Sequence, residues 1–297
     1  MHTTLITAPE LKALRANGAR LMVFDCSFEL MNPAAGEEAW RKAHIPGAVY
    51  AHLDHALSDK PVIEPDGSHH PHSDAASGGR HPLPSREKFA VWLSSVGFSN
   101  DMQAVVYDRN GSAQCGRLWW MLKWVGHDAV AVLDGGWNAW LESGGEVASG
   151  DEPSHFQSNF ALGRELRRLV TTRDVLANLG KGTQTLVDAR AAARYRGEVE
   201  PLDPVAGHIP GALNRPFTQN LGPDGRFKPA QQLREENERV LAGRDPSTVV
   251  HHCGSGVSAV PNIIAMELAG YGPTALYAGS WSEWCRDPSR PVAKGAG

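Results

Sequence analysis

Cys253 stands in a setting that could make it a nucleophile. The stretch His251-His252-Cys253-Gly254-Ser255-Gly256-Val257-Ser258-Ala259 follows an apolar, β-branched run, Thr248-Val249-Val250, and leads into an apolar segment, 259–268, that reads as a helix. A strand, a tight glycine loop and a helix start make a cradle of backbone N–H groups, and the helix dipole adds positive potential at that end. A cysteine at the mouth of such a cradle is expected to be a thiolate at neutral pH, hence a nucleophile for sulfur or acyl chemistry. His251 and His252 should face opposite sides of the strand and serve mainly in packing.

The elements that must position this loop repeat along the chain. Leu21-Met22-Val23-Phe24-Asp25 resembles Thr185-Leu186-Val187-Asp188, and His44-Ile45-Pro46-Gly47-Ala48 returns as His208-Ile209-Pro210-Gly211-Ala212. Ala104-Val105-Val106-Tyr107 matches Thr248-Val249-Val250-His251, and Trp137 and Trp140 match Trp281 and Trp284. His44 and His208 lie 164 residues apart but Trp137 and Trp281 only 144, so the first unit carries about twenty extra residues in its middle. Such long units are duplicated domains, not solenoid repeats. Short Val/Leu/Ala strands alternate with helical stretches such as 117–125 and 260–269, which predicts an α/β fold with a mostly parallel sheet in each domain, flanked by helices on both faces. Ligands of such sheets gather at the carboxyl ends of strands, where the Cys253 loop is expected. The expected division is an N-terminal domain over 1–149, a linker over 150–163 and a C-terminal domain over 164–297. The recurring tryptophans read as domain core.

Composition excludes several classes of function. A formal net charge of -4 argues against a nucleic-acid partner. No apolar run approaches the ~18–20 residues that a membrane span needs. No basic segment followed by an apolar core opens the chain, so no signal peptide is expected and a cytoplasmic location fits. The four cysteines, Cys26, Cys115, Cys253 and Cys285, are sparse and irregularly spaced, which suggests neither a zinc site nor a disulfide framework. The polar segment 58–84 reads as a surface loop. Its cluster His69-His70-Pro71-His72 lacks a carboxylate or cysteine at ligand spacing, so no metal or cofactor is expected.

Taken together, the duplicated His-Ile-Pro-Gly motif, the Asp134-Gly135-Gly136-Trp137 and Gly279-Ser280-Trp281 ends and the Cys253–Ser258 loop resemble the two-domain rhodanese-type sulfurtransferases, over nearly the whole chain. The resemblance implies two tandem rhodanese-like domains, the first lacking a catalytic cysteine. At a constant offset Arg109 stands where Cys253 does; if the loops differ by one residue, Asp108 does. Cys115 is displaced onto the next helix and is expected to pack there. The resemblance also implies a persulfide on Cys253, with a sulfur donor, 3-mercaptopyruvate or thiosulfate, and an acceptor that is a thiol, such as thioredoxin or a small thiol, or cyanide. Gly254 and Ser255 follow the cysteine where thiosulfate-preferring members tend to carry basic residues, and this favours mercaptopyruvate.

The same resemblance implies site residues. Gly254, Gly256, Val257 and Ser258 would bind the donor through backbone N–H groups. Arg194, in Ala193-Arg194-Tyr195-Arg196-Gly197, would hold its carboxylate, with Arg196 a second candidate against the plainer reading of a solvated side chain. Arg190 would organise the strand end beside Asp188. Ser255, His81 and Asp54 would form a proton relay, the last two supplied by the N-terminal domain. Where mercaptopyruvate-specific members commonly carry a second arginine, nine residues after the first, this chain has Asp203, which predicts a weaker carboxylate clamp. Phosphatase chemistry, which related folds perform with an arginine six residues after the cysteine, would find Ala259 there.

Overall fold

The computed structural model describes residues 1–59 and 74–296, together with the backbone of 62–63 and 69–70. In chain order the first elements are β1 (Leu5–Ile6), α1 (Ala8–Ala16), β2 (Leu21–Asp25), α2 (Ala34–Lys42), β3 (Val49–Tyr50), β4 (Val62–Ile63), β5 (His69–His70), α3 (Arg86–Ser95), β6 (Gln103–Tyr107), α4 (Ala113–Trp124), β7 (Val130–Leu133) and α5 (Gly136–Glu142). They are followed by β8 (Leu169–Val170), α6 (Thr172–Asn178), β9 (Thr185–Asp188), α7 (Ala192–Tyr195), β10 (Leu213–Asn214), α8 (Ala230–Leu241), β11 (Val249–His252), α9 (Val260–Leu268), β12 (Ala275–Tyr277) and α10 (Ser280–Trp284).

The chain forms two compact units, each built from separated stretches. The first comprises Met1–Ser58, Pro84–Leu166 and Pro223–Phe227; the second comprises Asp59–Leu83, Arg167–Gly222 and Lys228–Gly297. This differs from the continuous division expected at 149 and 164. Segment 59–83, which makes the first repeat longer, counts with the second unit, and within it β4 pairs antiparallel with β5. The side chains of His69, His70 and His72 lie outside the described residues. The expected linker lies along the first unit: Ser158 N–H donates to the Ser94 carbonyl, Gly163 N–H donates to that of Val125, and buried Phe160 stacks on Phe98.

Each unit contains a five-stranded, wholly parallel sheet flanked by helices. The order is β1-β7-β6-β2-β3 in the first and β8-β12-β11-β9-β10 in the second, which is one topology used twice. Sequence details explain the repetition. The first helix of each unit opens on a capping box, Thr7 with Glu10 and Thr171 with Asp174, which satisfies otherwise orphaned N–H groups. Each His-Ile-Pro-Gly-Ala copy is a tight turn: Ala48 N–H donates to the Ile45 carbonyl and Ala212 N–H to that of Ile209, with Gly47 at φ +79° and Gly211 at φ +77°. Proline followed by a left-handed glycine is the signature of a type II turn, so the motif recurs for backbone reasons. The two cores correspond nearly residue for residue. Ile6, Leu11, Val23, Ile45, Val105, Trp137 and Trp140 answer to Val170, Val175, Leu186, Ile209, Val250, Trp281 and Trp284. All four tryptophans are buried, as expected of domain core.

Candidate active site

Cys253 leaves the carboxyl end of β11 and begins the loop that runs into α9. Three contacts from residues 280–282 hold its backbone. Cys253 N–H donates to Ser280 Oγ at 3.1 Å, Trp281 N–H to the Cys253 carbonyl at 3.0 Å, and Ser282 N–H to the Gly254 carbonyl at 2.8 Å. Ser280 holds a left-handed φ of +55° and its hydroxyl donates to the Tyr277 carbonyl, so the local strain is anchored at both ends. Gly256 is required for two reasons: its φ is +75°, and a Cβ there would lie 2.2 Å from the Ala278 carbonyl oxygen. Gly254, Ser255 and Val257 are buried, and among the described residues their amides donate to no protein acceptor. Buried amides without partners are suited to receiving an anion.

Basic side chains close on the same loop. A Cβ on Gly254 would lie 3.2 Å from Arg80 Nη2 and 3.5 Å from Arg194 Nη1, so glycine permits both guanidinium groups to approach the backbone beside Cys253. Arg194 stands on α7. Arg80 is carried by segment 74–83, which Gly78 N–H fastens to Glu283 Oε2 at 3.1 Å and Arg80 N–H to Ser282 Oγ at 2.9 Å. The next residue, His81, places Nδ1 2.8 Å from Ser255 Oγ, and both side chains are buried.

Asp203 lies between the two arginines. Its Oδ1 accepts from Arg80 Nη1 at 2.6 Å and its Oδ2 from Arg194 Nη2 at 3.2 Å. Glu200 Oε1 accepts from Arg194 Nη2 at 2.6 Å and from the amides of Leu202 and Asp203. Sequence reasoning singled out Arg194 and Asp203 but passed over Arg80; its place directly before His81 was the available signal. Arg196 is directed elsewhere, into a solvent-exposed fork with Glu198 at 2.6 and 2.9 Å. Asp54 belongs to the first unit, half-buried, with its amide on His52 Nδ1. His52 stands edge-on to Phe28 and Tyr50.

Below the loop, Arg190 forks onto Asp188 and lies over the Trp281 ring, 4.8 Å from its centroid. Burial opposes the Asp188 charge, but His252 and Arg190 outweigh it and its pKa falls below the ordinary value. His251 and His252 are buried, and burial lowers both pKa values, that of His251 to about 3. Burial pushes the Cys26 and Cys115 thiols well above their ordinary value and that of Cys285 up to about 11, so these three remain thiols at neutral pH. Cys253 is the cysteine of the loop whose amides lack protein acceptors, and so the candidate nucleophile.

The twin of this loop in the first unit is now defined. Tyr107 pairs with Asp25 as His252 pairs with Asp188, so Asp108, not Arg109, stands where Cys253 does. A cavity of about 280 Å³ adjoins that loop, lined in part by Asp108, Arg109, Ser112, Asn138 and Asp224. Among the described residues, no group of three or more His, Cys, Asp or Glu could hold a metal ion, and no helix is long and apolar enough to cross a membrane.

Comparison with known proteins gives the same organisation. The rhodanese-like domain family matches twice, over residues 7–143 and 171–287. A Pseudomonas aeruginosa protein named "probable 3-mercaptopyruvate sulfurtransferase" is 43% identical over 295 residues, 98% of each chain. A thiosulfate sulfurtransferase of Rattus norvegicus is 33% identical over 290 residues, 94% of this chain and 90% of its own. The solved 3-mercaptopyruvate sulfurtransferase from Leishmania major superposes with a TM-score of 0.76 at 29% identity, over 96% of this chain and 74% of its own. With two copies of the domain, each built on the same five-stranded sheet, this chain belongs to the rhodanese-like family.

Proposed function

We propose that the protein is a sulfurtransferase that moves sulfur from 3-mercaptopyruvate to a thiol or cyanide through a persulfide on Cys253. The observation that carries this reading is the Cys253 loop, with unpartnered buried amides and two guanidinium groups within 4 Å of the Gly254 Cβ position. The Cys253 thiolate forms an S–S bond to the donor sulfur. The donor C–S bond breaks, its electron pair leaving on carbon as the pyruvate enolate. The proton of the donor thiol must then reach that carbon, and the Ser255–His81 pair offers a route for it. In the second step an acceptor thiolate attacks the outer sulfur, the S–S bond breaks and its electron pair returns to Cys253; with cyanide the product is thiocyanate. One difficult transfer is thereby split into two easier ones. Arg194 and Arg80 hold the donor carboxylate, and loop amides stabilise the anionic sulfur.

Mass spectrometry tests the reading. Treatment with 3-mercaptopyruvate should add one sulfur, about 32 Da, to the protein and nothing to Cys253→Ala. The absence of an adduct with any donor would leave a binding module as the better account. Thiosulfate is the second reading, supported by the similarity to the Rattus norvegicus thiosulfate sulfurtransferase. A higher kcat/KM for thiosulfate than for mercaptopyruvate would favour it.

A further inference from the structure

We infer that Asp203 is a built-in counter-charge of the donor site, which selects donors by their charge and favours a monoanion over a dianion. The inference rests on the sulfurtransferase reading and deepens it.

Its basis is how the two arginines divide their nitrogens. Arg80 gives Nη1 to Asp203 and turns Nη2 to Gly254; Arg194 gives Nη2 to Asp203 and turns Nη1 to Gly254. Each guanidinium therefore joins Asp203 on one side to the cysteine loop on the other. Asp203 is 4% exposed at its side chain, so water screens it little from whatever binds there. Glu200 accepts from the Asp203 amide and fixes the turn that presents it. Arg80, Arg190 and Arg194 thus face Asp188, Glu200 and Asp203, three positive groups against three negative ones. The arginines keep donor capacity beyond Asp203, because Nε of both Arg80 and Arg194 is buried without an acceptor among the described residues.

An entering anion meets the attraction of the arginines and the repulsion of Asp203 together. Both scale with its charge, but a monocarboxylate also gains the bidentate geometry of a guanidinium fork. Thiosulfate carries two charges at neutral pH and mercaptopyruvate one, so Asp203 repels thiosulfate twice as strongly. Removal of that charge should help the dianion by the square of the factor by which it helps the monoanion.

The test measures KM and kcat for both donors in the wild type, Asp203→Asn, Asp203→Ser and the charge-retaining Asp203→Glu. Loss of the charge should lower KM about threefold for mercaptopyruvate and about tenfold for thiosulfate, with kcat nearly unchanged. Asp203→Glu should keep the wild-type ratio. Equal factors for both donors, or a rise in both KM values, would make Asp203 a support that merely holds the arginines and would overturn the inference, as would failure of both neutral variants to fold. Sulfate and pyruvate binding to Cys253→Ser, followed by calorimetry with and without Asp203→Asn, separates the two proposals. A selective gain for sulfate supports the charge role even if no persulfide forms, whereas a persulfide without selective gain keeps the sulfurtransferase reading and rejects the role of Asp203.

Discussion

The loops after β6 and β11 have one backbone plan and opposite contents. Gly111 and Gly256 hold φ of +76° and +75°, and the carbonyls of Asp108 and Cys253 accept from the backbone N–H of Trp137 on α5 and of Trp281 on α10. In the first unit the cradle is already full. Asp108 Oδ1 accepts from the amides of Asn110 and Ser112, and Oδ2 from those of Gln114 and Cys115, all at 2.9–3.0 Å. In the second unit Cys253 is the matching residue; the amides of Ser255 and Val257, which answer to Asn110 and Ser112, keep their donor capacity among the described residues, while Val260 N–H, which answers to Cys115, donates to the Val257 carbonyl. Two amide positions that can serve an external anion in one unit are satisfied in the other by a side chain of the loop itself. One position therefore separates a closed structural turn from a candidate reaction centre: the residue that follows the strand, and whether its side chain fills its own cradle.

A second exchange accompanies the first. Arg109 donates to Asp25 Oδ2 and the Ala43 carbonyl, with its guanidinium 4.8 Å from the Trp137 ring centroid. Arg190 does the same in the second unit with Asp188, the Gly207 carbonyl and Trp281. One guanidinium is needed at this place in both units, but it is supplied from the loop after β6 in the first and from the end of β9 in the second. Arg109 is thus a structural counterpart of Arg190 and no relic of the nucleophile.

The comparison can be broken most forcefully at Asp108. Asp108→Ala would strand four amides and should destabilise the protein by about 3–5 kcal/mol in urea unfolding, with the Cys253 persulfide still formed. An unchanged midpoint would mean that the filled cradle contributes nothing.

Acid should then tell the units apart, because the twin of His251 is Val106. The folded-state pKa of His251, about 3, lies below its ordinary 6.5, so the stability from keeping it neutral is fully present above pH 6.5 and is lost as pH falls toward 3. At pH 4 the loss should be about 3 kcal/mol, and His251→Val should flatten that part of the stability profile. A profile that is the same with and without His251 would refute the assignment.

Smaller effects concern the loop that stays open. Gly256→Ala forces a Cβ against the Ala278 carbonyl at a left-handed φ and should cost about 2–3 kcal/mol along with most of the turnover. Ser255→Ala should slow mercaptopyruvate turnover about tenfold without shifting the melting temperature, and unchanged rates would remove the proton route through His81.

Much of this organisation was legible in residue order. Alternating strands and helices, the duplicated His-Ile-Pro-Gly turns and the paired tryptophans mark two α/β domains because backbone turns and core faces depend on local residue types. Cys253 among its glycines marks the reactive loop for the same reason. Other features depend on pairing and packing between distant segments. Spacing left Arg109 and Asp108 equally open, and only the strand register that sets Tyr107 against Asp25 chose Asp108. Segment 59–83 reads as an insertion in the first repeat, yet it packs with the second unit and brings Arg80 and His81 to the cysteine loop. Asp203 reads as a missing arginine, yet it bridges two arginines that stand 114 positions apart in the chain. Sequence by itself determined the two domains and the candidate nucleophile, since those follow from local propensity and motif. Tertiary structure decided which charges surround that nucleophile, because a charge acts through distance in space and not through position along the chain.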